Sequence, residues 1–230
     1  MRIQIRGFAV GATTGAHPFT DRGFYMKLID ISHGLSESTP VYRDDPPVRL
    51  EKTRSVEKDD YTLFRLDSGL HAGTHLDAPS HLLRDGKMIC DFPLNRFAGR
   101  GKLLDVRGYE CIEMRPEYST QISEGDIVLL FTGFDEKFGS PDYFTRHPVV
   151  SLELAEFFVL RHISVLGFDM PSPDRSPYDI HKTLLEGNVL MLENLTNLHE
   201  LLSADSFEVM AFPLKISTEA SLVRAVCRLD

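Results

Sequence analysis

The hydrophobic positions of the chain fall mostly into short runs of β-branched and aromatic residues that are closed by turn residues. Runs of this length and composition predict β-strands. The predicted strands are KLIDIS from residue 27, VRLEKTRSV from 48, YTLFRLDSG from 61, GKLLDV from 101, DIVLLFTGF from 126, SVLGFDM from 164, VLMLENL from 189, FEVMAFPLKI from 207 and LVRAVCRL from 222. Because several follow one another with no helix between them, the pattern predicts an α/β fold whose sheet is mixed and rich in strands.

Helices are predicted at two places. SLELAEFFVLRH, residues 151–162, has apolar residues at 154, 155, 158 and 159, which form one stripe of a helix. Ser151 stands where an N-cap residue belongs. KTLLEGN, residues 182–188, predicts a shorter helix that can end at Gly187.

Length and composition favour a single folded unit. The chain has 230 residues, of which 42% are hydrophobic, and it contains no internal repeat, low-complexity tract or central linker. This is ample for one buried core. Residues 1–25 have no hydrophobic period, so we predict a flexible extension there and a single domain over residues 26–230.

The charge balance and the cysteines narrow the range of partners. A net charge of −9 argues against nucleic acid and against an anionic membrane surface, because both attract a basic face. No run approaches the ~20 apolar residues of a membrane span. The three cysteines, Cys90, Cys111 and Cys227, are far apart and fit a reducing compartment. We therefore expect a cytoplasmic protein that binds a small molecule.

The stretch HAGTHLDAPSH concentrates four polar residues with metal-binding side chains. These residues are His71, His75, Asp77 and His81. They are separated by even numbers of residues, which the period of a strand would place on one side. A fully extended strand would nevertheless carry residues 71 and 77 about 20 Å apart, at ~3.3 Å per residue. We therefore expect the chain to curl at Gly73 and Pro79.

Two imidazoles and a carboxylate on a curled loop offer three nitrogen and oxygen ligands. A catalytic metal site typically takes this number from the protein. Imidazole with carboxylate suits Zn²⁺, Mn²⁺ or Fe²⁺ better than Ca²⁺ or a thiolate-bound cluster. The alternative is a loop whose polar side chains only hydrogen-bond to one another.

A second polar position interrupts the apolar run VLMLENL. The period of a strand puts Glu193 on the side of Val189, Met191 and Leu195, where an unpaired carboxylate would cost several kcal/mol. A bound cation would compensate that charge, and His181, just before the KTLLEGN helix, could return to the same place. The alternatives are a Glu193 that pairs with lysine or arginine, or one that faces solvent.

The motif HxGTHxDxPxH, which residues 71–81 match without a gap, resembles the signature of the metal-dependent cyclase family, which includes bacterial kynurenine formamidases. Further similarities are DIS…P…Y…DPP in residues 30–47, GDIVLLFTGF in 125–134, GFDMPSPD in 167–174 and PLKI…VRAV near the end. The resemblance implies a swivelling β/β/α fold and a homo-oligomer, dimer or tetramer. It also implies a metal-dependent hydrolase that cleaves the C–N bond of an N-formyl arylamine, or of a cyclic amide as isatin hydrolase does.

Carried over by position, the resemblance implies two divalent ions, zinc or manganese. The first ion would be bound by His71, His75 and Asp77. Asp77 would bridge to a second ion, which His181 and Glu193 would hold.

The resemblance makes His81 the catalytic acid and base. A histidine with an ordinary pKa near 6.5 can take a proton from water and return it to a departing nitrogen. The alternatives for His81 are a further metal ligand and a hydrogen-bonding partner of one.

The substrate and the type of reaction stay open. YRDDP at residues 42–46 stands where many relatives have YPGDP, and FTGF at 131–134 where many have RTGW. A cyclase or dehydratase, or a binding protein without turnover, could use the same ligands, although the extra imidazole of His81 favours an enzyme. Serine chemistry is disfavoured because no GxSxG is present, and GRGK at 99–102 lacks the frame of a phosphate-binding loop.

Overall fold

A computed structural model of the protein describes residues 27–229. The strands of this range are β1 (Lys27–Asp30), β2 (Arg49–Arg54), β3 (Leu63–Asp67), β4 (His75–Asp77), β5 (Ala98–Asp105), β6 (Cys111–Ile112), β7 (Ile127–Phe131), β8 (Val149–Val150), β9 (Val165–Phe168), β10 (Leu190–Glu193), β11 (Phe207–Met210), β12 (Ala220–Leu222) and β13 (Val226–Leu229). The α-helices are α1 (Val56–Asp59), α2 (Tyr118–Gln121), α3 (Leu152–Leu160) and α4 (Asp179–Glu186). Short 3-10 helices cover Pro79–His81, Ile89–Asp91, Leu94–Arg96, Phe134–Lys137 and Leu198–Leu201.

Nine strands form one mixed sheet in the order β1-β13-β11-β5-β7-β9-β10-β4-β12. The central strands β5, β7, β9 and β10 are parallel. The strands on both flanks pair antiparallel, so that β4 lies between β10 and the edge strand β12. This arrangement confirms the predicted α/β fold with a mixed, strand-rich sheet.

The two faces of the sheet bury two separate cores. Alternate residues of β7 show the division, since Ile127 and Leu129 enter one core while Val128 and Leu130 enter the other. The sheet curls around the first core, which also receives apolar side chains from β1, β11 and β13. Helices α3 and α4 cover the second core on the opposite face.

The predicted helices are present, and one of them begins earlier than predicted. The side chain of Ser151 caps α3 by accepting a hydrogen bond from the Leu154 N–H at 3.2 Å. Helix α4 ends before Gly187 as predicted, but it starts at Asp179, so His181 lies inside the helix rather than before it. Asp174 accounts for the earlier start, because its carboxylate accepts hydrogen bonds from two N–H groups of the first turn.

Strands β2 and β3 form a two-stranded hairpin apart from the main sheet. Every residue of β3 is exposed, including Leu63, Phe64 and Leu66, whose exposed fractions are 49%, 56% and 50%. An isolated two-stranded hairpin is at best marginally stable in water. The hairpin therefore presents apolar surface that the rest of the described chain leaves uncovered.

The prediction of a flexible extension at residues 1–25 lies outside the described residues. Within residues 27–229, no helix has the length and apolar character that crossing a membrane requires.

Candidate metal centre

Two neighbouring strands align three of the predicted ligands. In the antiparallel pair of β4 and β10, Glu193 lies opposite His75 and Met191 lies opposite Asp77. Since side chains alternate along a strand, His75, Asp77 and Glu193 project from the same face, which is also the face that α4 covers. The His75 Nε2 atom lies 3.4 Å from Asp77 Oδ1 and 3.5 Å from Glu193 Oε2.

The strand ends at Glu193, and this changes one prediction. Asn194 has a φ of 56°, which interrupts the alternation of side chains. Leu195 consequently enters the first core, not the side of Met191, which lies in the second. The prediction that Leu195 shares a side with Glu193 is wrong, whereas the prediction for Met191 is confirmed.

His71 reaches the site from the loop before β4. Gly73 has a φ of 61°, a conformation that glycine adopts at little cost, and the turn at this residue curls the loop as predicted. The His71 Nδ1 atom consequently lies 3.1 Å from Asp77 Oδ1 and 3.2 Å from His75 Nε2. The other ring nitrogen, Nε2, lies 3.5 Å from Glu219 Oε1.

Helix α4 supplies His181 from its buried side. The His181 Nδ1 atom is 2.5 Å from Asp174 Oδ1, and its Nε2 atom is 3.5 Å from Glu193 Oε1. Asp174 thus fixes the ring and leaves Nε2 directed at the carboxylate of Glu193.

His81 closes the cluster from the 3-10 helix Pro79–His81. Its ring centroid lies 4.3 Å from that of His71 and 6.2 Å from that of His181. Pro79 begins the short helix and so turns the chain away from the direction of β4. Burial lowers the pKa of His81 below its ordinary value, so the ring is neutral near pH 7.

Burial and mutual charge shift the pKa values of the other groups in opposite directions. Burial, with the negative charge of Asp77, raises the pKa of Glu193 to about 7. For His71 burial alone would lower the pKa, but the charge of Asp77 raises it to about 9. For His181 the effect of burial is again reversed, because the hydrogen bond to Asp174 raises the pKa to about 10. Burial lowers the pKa of His75 to about 4.

The carboxylates at the centre lack the hydrogen bonds that burial normally requires. Asp77 is 0% exposed and Glu193 is 5% exposed. Neither oxygen of Asp77, nor Oε1 of Glu193, accepts a well-aligned hydrogen bond from a residue in the range 27–229, although imidazole nitrogens lie 3.1 Å from Asp77 Oδ1 and 3.5 Å from Glu193 Oε1. Buried carboxylates are normally hydrogen-bonded, paired or bound to a metal. Two further proposals for Glu193 are thereby contradicted, since its ion-pair contacts in this range are with imidazoles rather than lysine or arginine and it does not face solvent.

The donor atoms form two overlapping groups with ligand geometry. The first group is His71, Asp77 and His81, and the second is His75, Asp77 and Glu193. Within each group one atom per residue lies within 4.8 Å of the others, and Asp77 belongs to both. Nitrogen and carboxylate oxygen are the donors that Zn²⁺ and Mn²⁺ accept, so the residues fit one or two divalent ions.

A cavity of about 290 Å³ opens onto these groups. Its remaining wall is largely apolar and aromatic, with Tyr42, Phe144, Pro171 and Tyr178. The hydroxyl groups of Tyr42 and Tyr178 are 3.3 Å apart. The cavity therefore combines a charged floor with a wall suited to a flat organic molecule.

A family described as putative cyclase matches residues 29–175. The chain belongs to the cyclase family. A relative in the curated proteins, the kynurenine formamidase of Salinibacter ruber, is 34% identical over 217 residues, which cover 88% of this chain and 98% of the relative.

Two solved structures resemble this cyclase-family chain over most of its length. One is described as a potential metal-dependent hydrolase with cyclase activity and is 27% identical, with a TM-score of 0.75 over 89% of this chain and 98% of that one. The other, isatin hydrolase A from Labrenzia aggregata, is 22% identical, with a TM-score of 0.79 over 89% of this chain and 94% of the other. The second likeness concerns the fold alone.

Four residues of the cyclase-family site were missed in the sequence. These are Asp169, Asp174, Asn194 and Glu219. Asp169, directly after β9, accepts hydrogen bonds from Thr132 N, Thr132 Oγ1 and Gly133 N and so ties together the ends of two parallel strands. The side chain of Asn194 donates to the Gly73 carbonyl at 3.0 Å and thereby braces the curled loop. A signal for Asp169 and Asp174 existed in GFDMPSPD, where one aspartate lies near the end of a predicted strand and the other follows that strand.

Proposed function

We propose that this protein is a metal-dependent hydrolase that cleaves the C–N bond of an aryl amide, with an N-formyl arylamine as the first candidate and a cyclic amide as the second. The observation that carries the proposal is Asp77, a fully buried carboxylate without hydrogen bonds at the junction of two groups of ligand atoms. The similarity to a kynurenine formamidase at 34% identity supports the choice of bond. The aromatic wall of the cavity supports an aryl substrate.

We assign the ligands as the resemblance implied. His71, His75 and Asp77 would hold one ion, and Asp77, His181 and Glu193 would hold a second, both zinc or manganese. In the structure Asp77 is shared by two groups of clustered donor atoms, one with His71 and His81 and one with His75 and Glu193. These groups differ from the assigned sets and do not include His181, but the shared position of Asp77 supports a bridging role. When bound, such ions supply Lewis acidity toward a carbonyl oxygen and toward water.

His81 moves the proton in this proposal. Its neutral imidazole accepts a proton from the water that adds to the substrate carbonyl carbon. The C–N bond then breaks, and the protonated ring returns the proton to the departing nitrogen. The products are an amine and a carboxylic acid, which releases its proton to solvent to become the carboxylate, and His81 ends neutral as it began.

Two hydrogen bonds fix the tautomers of the proposed histidine ligands His75 and His181. His75 Nδ1 donates to the Gly73 carbonyl at 2.8 Å, which keeps the proton on that nitrogen and leaves Nε2 for a cation. His181 Nδ1 likewise donates to Asp174 Oδ1 at 2.5 Å, which leaves the Nε2 atom of His181 for a cation.

We also propose a homo-oligomer, a dimer or a tetramer, located in the cytoplasm. The exposed apolar residues of the hairpin β2–β3 support the oligomer, because a second copy would supply the cover that the hairpin lacks. The cysteines support the location, since all three are unpaired.

Metal analysis followed by turnover of a substrate panel tests the function. The panel contains N-formyl arylamines, cyclic amides and lactones. We expect bound zinc or manganese and hydrolysis that is fastest for the N-formyl arylamines. Metal without turnover of any member would favour a binding protein, and ring closure or loss of water from a polyketide-like substrate would favour a cyclase or dehydratase.

A further inference from the structure

Each candidate histidine ligand has one ring nitrogen near the cluster and the other near an acceptor. For His75 the acceptor is the Gly73 carbonyl, and for His181 it is Asp174. For His71 the nitrogen near Asp77 is Nδ1, and the nitrogen that faces away, Nε2, lies 3.5 Å from Glu219 Oε1. Glu219 therefore lies beside the outward nitrogen of His71, as Asp174 lies beside that of His181, but at 3.5 Å rather than at the 2.5 Å of a hydrogen bond.

The fold fixes where Glu219 stands. Glu219 directly precedes the edge strand β12, whose Ala220 and Leu222 lie opposite Asp77 and His75 of β4. The Glu219 carbonyl also accepts a hydrogen bond from the Ala78 N–H at 2.8 Å. The backbone of Glu219 is thus held against the strand that carries two of the proposed ligands.

The side chain of Glu219 lies outside the cavity that contains the proposed ligands. It lines a second cavity of about 180 Å³, and His71 lines both this cavity and the larger one. The Glu219 side chain is 40% exposed, whereas Asp77 and Glu193 are almost fully buried. Glu219 is also absent from both groups of ligand atoms. These observations separate it from the carboxylates proposed to bind the cation directly.

We propose that Glu219 is a positioning residue for His71. Its carboxylate accepts the Nε2–H of His71, which fixes the tautomer and the ring so that the lone pair of Nδ1 is directed at the cation. The inference rests on the proposed metal site. Partners of this kind, when removed, typically cost 10–100-fold in metal affinity.

Competition with a chelator for Zn²⁺ measures the effect in the full-length protein. We expect Glu219→Ala to weaken Zn²⁺ affinity about 10–100-fold. Glu219→Gln should lose much less, because the carboxamide oxygen still accepts a hydrogen bond from Nε2. Glu156→Ala is the matched control, since Glu156 lies on the exposed side of α3 and its loss removes the same charge without affecting Zn²⁺ affinity.

A double-mutant cycle with His71→Ala tests whether Glu219 acts through His71. The effect of Glu219→Ala should disappear in the His71→Ala background, because no ring remains to position. An undiminished effect there, or Glu219→Gln as weak as Glu219→Ala, would overturn the positioning role and favour direct ligation or a general charge effect.

The two proposals fail in different ways. A wild-type protein that binds Zn²⁺ while Glu219→Ala binds it equally well would overturn only the role of Glu219. A wild-type protein with no affinity for zinc or manganese would overturn both proposals.

Discussion

Asp77 and Glu193 place two almost fully buried carboxylates at the floor of one cavity. Burial and the nearby charge of Asp77 disfavour the ionised form of Glu193 and raise its pKa to about 7. His71 and His181 offset part of the negative charge with raised pKa values of about 9 and 10. Protons and divalent cations therefore compete for the same cluster, since nitrogen ligands must give up a proton to bind a metal.

Replacement of His81 separates proton transfer from metal binding. We expect His81→Ala to lower turnover by about 10²–10⁴-fold, the usual contribution of general acid–base catalysis. Bound metal, measured by elemental analysis, should stay nearly stoichiometric. His199→Ala removes an exposed imidazole and serves as the control with unchanged rate and metal. Loss of metal along with activity would make His81 a ligand, a role that its grouping with His71 and Asp77 also allows.

Glu193→Gln keeps the shape of the side chain and removes its charge. Because an amide binds divalent cations poorly, metal content should fall by about one ion per chain, while the centre of His71, His75 and Asp77 keeps its own ion. Elemental analysis of the purified variant is the measurement. Full metal content would mean that the assignment of two ions, with Glu193 as a ligand, is wrong.

The same variant has a pH signature once metal is removed. The pKa of Glu193 in the fold, about 7, lies above its ordinary 4.5, so its protonated form favours the folded state. That contribution is complete below pH 4.5 and is lost as the pH rises through 7. Chelator-treated wild type should therefore fall in Tm relative to chelator-treated Glu193→Gln between pH 5 and pH 8, as melting curves of both proteins would show. Parallel curves for the two proteins across this range would contradict the prediction.

At the scale of elements, the site lies where parallel strands meet antiparallel ones. Strands β7, β9 and β10 end beside one another, which is where open α/β sheets bind ligands. Strand β4 lies next to β10 in the opposite direction and brings the proposed ligands His75 and Asp77 to the same place. The short helix Pro79–His81 then returns the chain over the site.

Gly86 packs directly against the backbone of the short helix Pro79–His81. A Cβ atom at Gly86 would lie 2.4 Å from the carbonyl carbon of Pro79 and 2.5 Å from the nitrogen of Ser80, both backbone atoms with little freedom to yield. We expect Gly86→Ala to shift the Pro79–His81 segment and to lower kcat by at least about tenfold, since a misplacement of 1 Å can cost 10²-fold. Overpacking should also cost about 1–3 kcal/mol in the free energy of unfolding.

Gly34→Ala is the matched control for Gly86→Ala. No atom lies within 4 Å of a Cβ built at Gly34, so both kcat and Tm should stay at the wild-type values. Steady-state kinetics and thermal melts of the two variants make the comparison. Equal kcat and Tm values for Gly86→Ala and Gly34→Ala would show that the Pro79–His81 helix does not depend on the close packing at Gly86.

The local elements could be predicted from the sequence, and the partners across the sheet could not. Period and turn residues locate β7, β9 and α3, and the spacing of HAGTHLDAPSH indicates the ligands and the curl at Gly73. The error at Leu195 arose because no sequence signal predicted the positive φ of Asn194. Glu219 was missed because its contact with His71 depends on the pairing of β12 with β4, and strand order is a property of the whole sheet.

At the scale of the whole molecule, the nine-stranded sheet and both cores described above are built from residues 27–229. A chain that begins at Met26 should match the full chain in turnover, because residues 1–25 offer no hydrophobic period to bury. Its free energy of unfolding should agree within ~0.5 kcal/mol, as for changes that touch no buried group. Thermal melts and rates of the two chains decide this. A clearly lower Tm for the shorter chain would show that the extension packs on the domain or on another subunit.

Strand β4 has only three residues, and both of its neighbours lie roughly 110 residues or more further along the chain. Forming such distant pairs requires closing very long loops before any contact is gained, which makes this kind of structure slow to appear during folding. We therefore expect the proposed cation-binding geometry to form in the last stage of folding, after the local parallel strands and α3. A metal added to refolding protein should then bind only with the slowest kinetic phase, so that it would stabilise the finished fold without speeding the earlier steps.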